Sequence, residues 1–506
     1  MEILRDIWQN NPLWIMWATV FAYITFIFLK GVSKARKIES SDDFLVAGRN
    51  VGWFFLFCTM GATVIGGGGS IGAIGRTYEW GILMLVVSTG WYIHFIFSGL
   101  LVAPKFRNAK LYTVAGYFEH RYGEGPRFLA MLLSLFFSVF IIAAQMAAFG
   151  WVLAAALPNL AEQLSGLEFL NATSVLKLAI ITGGLLVVIY STAGGLLAVI
   201  YTDVYQFIVL LAGFFITVLL IVPDLAANFA SIQQTVPANF LALEGGKGWV
   251  FLISTFFAFL LGETFAPGYA TRYCIGKNLK HTKYGIAGVG FFLALFFPAV
   301  LFVIALYAKL HFPDIEPQMA LPTVIRALNN PLVAGLIIGA LLSAVMSSAD
   351  SALNSSTAIF VKDLFERSEK WKKAGDKKIL KLARFCSVGV GIAAIGVAVW
   401  NPDIIDLLLF TYHVWAPAII VPVVYGVLSK ESSPTLSRQI VVTMLVATVG
   451  TLLYRVIPKL SGWMPGIVPE WMVTMQANLD PAVFGVLLAT LAFVLQKAWS
   501  KTRRPV

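Results

Sequence analysis

Thirteen apolar runs recur along this 506-residue chain, each close to the length that carries a helix across a bilayer. They lie at 13–29, 53–75, 80–102, 128–157, 176–194, 196–222, 249–270, 285–308, 331–361, 385–400, 405–428, 439–456 and 481–496. A hydrocarbon core about 30 Å thick takes roughly 20 residues of helix. Lipid offers the backbone no partner, so a spanning segment must satisfy its own N–H and C=O groups. The runs therefore predict an all-α polytopic membrane protein with about 13 transmembrane helices. Composition agrees, with 58% hydrophobic and only 12% charged residues, which does not fit a string of soluble domains.

The net charge of +11 raises nucleic acid as a partner, and its distribution argues against that. With the N-terminus outside, the inner segments hold 29 of the 37 Lys and Arg residues, nine of them between Lys362 and Arg384. The positive-inside rule then predicts an N-out, C-in orientation. The basic excess becomes a topology signal, with some attraction to anionic membrane lipid. The basic cluster KGVSKARK follows the first run instead of preceding it, unlike a secretory signal peptide. The expected location is the plasma (inner) membrane, as a multi-pass protein. Cys58, Cys274 and Cys386 have no metal or disulfide spacing. No nucleotide loop or HExxH motif is present, so no enzyme is expected.

Two of the runs are broken. The second contains Gly66-Gly67-Gly68-Gly69-Ser70, and the seventh contains Gly262-Glu263 followed by Ala266-Pro267-Gly268. Glycine costs a helix roughly 1 kcal/mol against alanine, and irregular backbone at membrane depth survives only where it lines protein or a cavity. An offset of five spans reverses direction across the membrane, so these two segments would open a pair of inverted repeats. Such matched breaks are the best sequence pointer to a transporter's binding site. The expected layout is a single transmembrane domain over 1–506. It comprises an extra helix at 13–29, repeats at 53–222 and 249–428, and two further helices within 439–496. LYTVAGYFEHRYG at 111–123 reads as an inner amphipathic or re-entrant piece, and 362–384 as a solvated face or short amphipathic helix.

The ninth run carries SAVMSSADSALNSS at Ser343–Ser356. Ser347, Ser348, Asp350 and Ser351 fall within about one turn. Hydroxyls and a carboxylate are hard ligands that suit a small hard cation, although Ser and Thr also act as packing glue between membrane helices. Asp203, Glu263 and Asp350 are the acids in or at spans. No Lys or Arg lies in the central part of any span, and the imidazoles there are His94 and His413. Acids at this depth normally pair or mark ion paths. With no basic partner in view, these three call for protonation, hydrogen bonding or a cation from solution.

Several motifs together resemble the sodium:solute symporter family. They are DDFLVAGRN at 42–50, Gly-Ala-Thr-Val-Ile at 61–65, the stretch from Gly194-Gly195 through Thr202-Asp203 to Gln206, Ala270-Thr271-Arg272-Tyr273 with Lys277, and Ala344 through Ser351. The resemblance implies a LeuT-like inverted five-plus-five repeat core and import of a small organic solute coupled to sodium, by alternating access. It places a first sodium ion among the carbonyls of Ala62, Ile65 and Ala344 and the hydroxyls of Ser347 and Ser348. A second sodium site would use Asp203 and Ser351. Asp350 stands where such relatives carry a hydroxyl, so it either strengthens that site or makes it a proton site. Solute contacts are expected from Gly67, Gly68, Ser70, Gln145, Glu263, Tyr412 and His413. A desolvated Glu263 would favour an amine or quaternary amine, helped by cation–π attraction. A protonated or backbone-bonded Glu263 would leave the solute an amino acid, sugar or carboxylate. The alternatives are a proton-coupled symporter of the same fold and a transporter-like solute sensor or channel. The sequence names neither the solute nor an oligomeric state.

Overall fold

A computed structural model describes residues 12–35, 40–156, 172–373, 375–463 and 468–502. Among the described residues the secondary structure is helical, apart from one isolated bridge between Val51 and Gly276. Among these residues ten helices are long and apolar enough to cross a membrane, or up to twelve when each of two bent pairs is counted as one span. The thirteen expected runs differ from that number chiefly at 176–194. There Ser174–Ile189 is a shorter apolar helix, continuous with the following run across one kink.

In chain order the long elements are α1 (Pro12–Ala35), α2 (Trp53–Val64), α3 (Ala73–Trp80), α4 (Ile82–Phe97), α5 (Val114–Tyr122), α6 (Glu124–Ala156) and α7 (Ala172–Ala227). They continue with α8 (Trp249–Gly262), α9 (Pro267–Tyr273), α10 (Leu279–His311), α11 (Pro331–Ile359), α12 (Asp376–Trp400), α13 (Ile404–Leu428), α14 (Pro434–Trp463) and α15 (Pro481–Thr502). The expected amphipathic piece at 111–123 is α5. The 362–384 segment holds the short helix Glu369–Lys372 and the start of α12.

The sequence sets several helix starts. Asn330 caps α11 by accepting the Val333 N–H at 2.9 Å, with Pro331 in the first turn, where its missing N–H costs nothing. Asp403 caps α13 by accepting the Asp406 N–H at 2.9 Å. The breaks are equally local. α2 and the segment Gly68–Trp80 meet at 59°, and α8 and α9 meet at 53°. Pro267 opens α9, where proline is tolerated because the preceding helix has already stopped.

α11 lies at the centre, packed against α1, α2, α6, α7 and α12, and every residue from Ser343 to Ile359 on it is buried. Large apolar side chains such as Phe21, Leu219, Phe385, Trp400 and Leu428 point outward. That is the reverse of a soluble protein and what a hydrocarbon solvent requires. Arginines tie the two ends. At one end Arg49 donates to the Lys110 and Leu111 carbonyls at 2.8 and 3.1 Å. Arg121 there caps the end of α13 through the Gly426, Ser429 and Glu431 carbonyls. At the other end Arg76 pairs with Glu79 at 2.8 Å and with Asp403 at 3.3 Å.

Within α7, Gly195 has φ 62° and ψ 171°, a region open essentially to glycine alone and costing other residues about 1–3 kcal/mol. Gly195→Ala is therefore expected to lower the melting temperature of the detergent-solubilised protein. An unchanged melting curve would show that the kink is not held in that conformation.

Candidate functional site

Hydroxyls on a membrane helix call for partners, and several on α11 bond to their own backbone. Ser351 donates to the Ser347 carbonyl at 2.8 Å, Ser355 to Ser351 at 2.9 Å, and Ser356 to Ala352 at 3.0 Å. This back-bonding is the usual resort of Ser and Thr inside helices, and for these residues it covers what the glue reading requires. Two of the serines do more. Ser348 donates both to the Ala344 carbonyl on its own helix and to the Thr63 carbonyl at the end of α2, each at 3.0 Å. Ser347 donates to Asp203 on α7.

Ser348 thus sits against the first break. The backbone there is packed so closely that a Cβ on Gly66 would come within 2.2 Å of the Ser348 Oγ. The Gly67 N–H, freed by the break, donates to Gln145 Oε1 on α6 at 2.8 Å, and Ser70 donates to the Gly66 carbonyl at 2.7 Å. Behind the second break, Trp415 Nε1 donates to the Thr264 carbonyl at 3.1 Å.

Glu263, at the second break, is 5% exposed and lies within a ring of aromatic donors. Trp91 Nε1 donates to one carboxyl oxygen at 3.0 Å and Tyr269 OH to the same oxygen at 2.7 Å, while Tyr412 OH donates to the other at 2.9 Å. These donors come from α4, α9 and α13, so one carboxyl group joins three elements across the break. The backbone-bonded form of Glu263 entertained from sequence gives way to this side-chain cage.

Asp203 does not lack a basic partner. Arg272 on α9 is wholly buried, with its Nη2 3.5 Å from Asp203 Oδ2 and donating to Ser351 Oγ at 2.7 Å. Its Nε donates to Thr59 Oγ1 at 3.1 Å and its Nη1 to the Gly268 carbonyl at 3.1 Å. Thr59 in turn donates to Asp203. The expectation that the buried acids have no basic partner was wrong at Asp203. Arg272 reads as the first charge of an inner loop because it follows a broken run, but α9 resumes the helix and carries it inside. A lone membrane acid in search of a partner was the signal that could have found it.

A cavity of about 40 Å³ lies between the two breaks, lined by Gly68, Trp91, Gln145, Glu263, Tyr269 and Ser348 among others. That is room for a few water molecules, so an organic solute enters only when the lining moves. The Gly67 N–H is spent on Gln145 and the Ser70 hydroxyl on the Gly66 carbonyl. Tyr412 reaches the cavity only through Glu263. His413 turns away from it, its Nε2 lying 3.3 Å from Asp480.

A sodium:solute symporter family model matches residues 44–433. This chain belongs to the sodium:solute symporter family. Curated relatives include high-affinity choline transporter 1 of Caenorhabditis elegans, 27% identical over 418 residues, covering 74% of this chain and 67% of the relative. A sodium/proline symporter of Staphylococcus aureus is 23% identical over 412 residues, covering 78% and 77%. Among solved structures, a Na⁺-coupled sialic acid symporter in a substrate-bound, outward-open state superposes with a TM-score of 0.72 at 20% identity, over 95% of this chain and 98% of that one. The fold is the LeuT-like one, and the protein is a multi-pass membrane symporter that couples solute to sodium. It is not an enzyme.

In this symporter the residues expected around the first sodium converge only in part. Ala62 and Ile65 lie on either side of Thr63, whose carbonyl Ser348 reaches, and Ala344 is one turn before Ser348 on α11. Ser347 is turned to Asp203. Of the second set, Asp203 and Ser351 are joined by the Arg272 guanidinium. Asp350, two positions beyond Ser348, lies about 200° round the helix from it and does not line the cavity.

Tyr412→Phe removes one of three donors from a buried carboxyl group, a loss of about 1 kcal/mol or more. The expected outcome is a lower melting temperature together with slower uptake, and Trp91→Phe should do the same. Full uptake in both variants would show that the cage is dispensable.

Proposed function

We propose that this symporter imports a small organic solute bearing an amine or quaternary ammonium group, driven by sodium bound where α2 breaks against α11. The ion's ligands are the carbonyls of Ala62, Ile65 and Ala344 with the hydroxyl of Ser348, joined by Ser347 once it turns from Asp203. The observation that carries this reading is Ser348, whose single hydroxyl bridges carbonyls of both helices at 3.0 Å. A cation placed there replaces that proton as the link, drawing on oxygens from both helices and tightening the break. The solute sits beside it in the cavity between the breaks. The repeats at 53–222 and 249–428 rock about this midplane site, with the N-terminus outside and the C-terminus inside.

The solute's charge is argued from the lining. It offers one carboxyl group, Glu263, the aromatic rings of Trp91, Phe137 and Tyr269, and no Lys or Arg, an arrangement suited to cation–π contact. Two relatives are named for choline and proline, and both of those solutes carry a positively charged nitrogen.

Ser348→Ala is expected to abolish sodium-stimulated uptake in reconstituted vesicles while the protein still expresses and stays monodisperse. Undiminished uptake sinks the ion site. For the solute, a thermal-shift screen against choline, proline, glucose and sialic acid, with and without sodium, should show sodium-dependent stabilisation by choline or proline. Stabilisation confined to sialic acid would overturn the cationic preference.

A further inference from the structure

We infer that a second cavity, behind the α8–α9 break, binds an uncharged membrane-soluble alcohol, with its hydroxyl on His94 and its apolar part between α4, α8 and α13. The inference is independent of the sodium and solute assignments above.

This cavity has a volume of about 220 Å³, and its walls include Phe97 at the end of α4, Leu261 on α8, Phe265 in the break and Val424 on α13. Phe97, Leu101 and Leu428 also line it, and each is more than half exposed. Large apolar side chains that point outward in this protein point into hydrocarbon, so the cavity fills from the bilayer. It is smaller than the roughly 300–1,000 Å³ of a drug-sized site. It therefore takes one chain or ring and leaves the rest of a larger molecule in the lipid. Among the described residues that line it there is no Asp, Glu, Lys or Arg. A charged group placed there would be desolvated with nothing to pair with.

A hydrocarbon tail alone leaves one atom unmatched. His94 is 1% exposed and lines the cavity, with its Nδ1 2.6 Å from the Trp91 carbonyl. A carbonyl only accepts, so Nδ1 carries the proton and Nε2 of the neutral ring is an acceptor. Among the described residues Nε2 has no hydrogen-bond partner. Thr264 does not supply one, since its hydroxyl donates to the Leu260 carbonyl at 2.6 Å. The missing donor must come with an apolar molecule. An alcohol brings one without charge, whereas an alkane or a simple ester has none.

The position gives the site a consequence. Thr264 and Phe265 belong to the break, and Phe265 has φ 65°, a left-handed conformation that bulky residues seldom adopt. The His94 ring is also 6.0 Å from that of Tyr269, one of the three donors to Glu263. The two cavities share no lining residue. A molecule wedged behind the break thus holds its shape and slows turnover without entering the solute cavity.

Photolabelling of the purified full-length protein in phosphatidylcholine nanodiscs tests this, because those lipids carry no free hydroxyl. The probes are dodecanol, dodecanoic acid and dodecane, each bearing a diazirine, with labelled peptides located by mass spectrometry. Dodecanol is expected to label the peptides of His94, Phe265 and Val424 saturably, while dodecane labels outward faces without saturation. His94→Phe should weaken dodecanol binding about tenfold, the worth of one hydrogen bond. Val424→Trp, which fills the cavity, should abolish the saturable part. In uptake assays dodecanol should lower the maximal rate of the wild type, leave KM unchanged, and have no effect on Val424→Trp. Dodecanol labelling no more saturable than that of dodecane overturns the inference, as does stronger labelling by dodecanoic acid. So does unchanged dodecanol binding in either variant when it is folded and monodisperse. If neither variant folds, the three probes on the wild type decide. An unaltered maximal rate with the site occupied, or a raised KM instead, overturns the hold on the break.

Discussion

A helix broken in hydrocarbon leaves backbone groups that water cannot reach, and the rest of this structure depends on how those groups are satisfied. Each one left unpaired costs several kcal/mol at membrane depth. At the first break the Gly67 N–H is taken by Gln145 on α6 and the Thr63 carbonyl by Ser348 on α11. At the second, the Thr264 carbonyl is taken by Trp415 on α13. The side chains that close the breaks are the ones that wall the cavity or lie directly behind it. Stability and solute access are therefore set by the same bonds, and a break can change shape only if those helices move with it.

Charge follows the same logic. Two of the buried acids are settled in different ways, Glu263 by three neutral donors and Asp203 by an arginine and two hydroxyls. Breaking a fully buried ion pair by removing one partner costs about 3–5 kcal/mol, so the Asp203–Arg272 link is a firm tie between α7 and α9. The Glu263 cage is built from weaker, separately exchangeable bonds. It also faces the cavity, where an arriving solute can compete for them.

Much of this was legible in the sequence, for physical reasons. Spans are written in hydropathy because lipid enforces it, and the breaks are written in glycine and proline because few other residues stop a helix there. Ser348 stood out as a hydroxyl with no business in lipid. What the sequence hid was direction. The period of α11 puts Ser347 and Ser348 in adjacent positions, yet 100° apart round the helix, and this sends one to Asp203 and the other to Thr63. His413, beside Tyr412, is turned out to Asp480 by the same rotation. Arg272 was missed because span-finding counts a charge after a proline as loop, whereas α9 restarts at Pro267 and buries the guanidinium one turn later. Thr59, Trp91 and Tyr269 carry no signal of their own, since each is ordinary for a membrane helix until its partner acid is in place.

The number of ions moved per cycle determines how much work a sodium-coupled transporter can do. One sodium crossing about 100 mV releases about 2.3 kcal/mol, and a tenfold gradient adds about 1.4 kcal/mol. A single ion thus supports accumulation of a neutral solute by roughly 500-fold, while two would support about 10⁵-fold. Asp203 is joined to Arg272, Thr59 and Ser347 by the protein's own groups, so α2, α7, α9 and α11 are tied there without any ion. The α2 break is held to α11 more lightly, by the one Ser348 hydroxyl shared between the Thr63 and Ala344 carbonyls. A bond that weak is the one a small change at the break can remake.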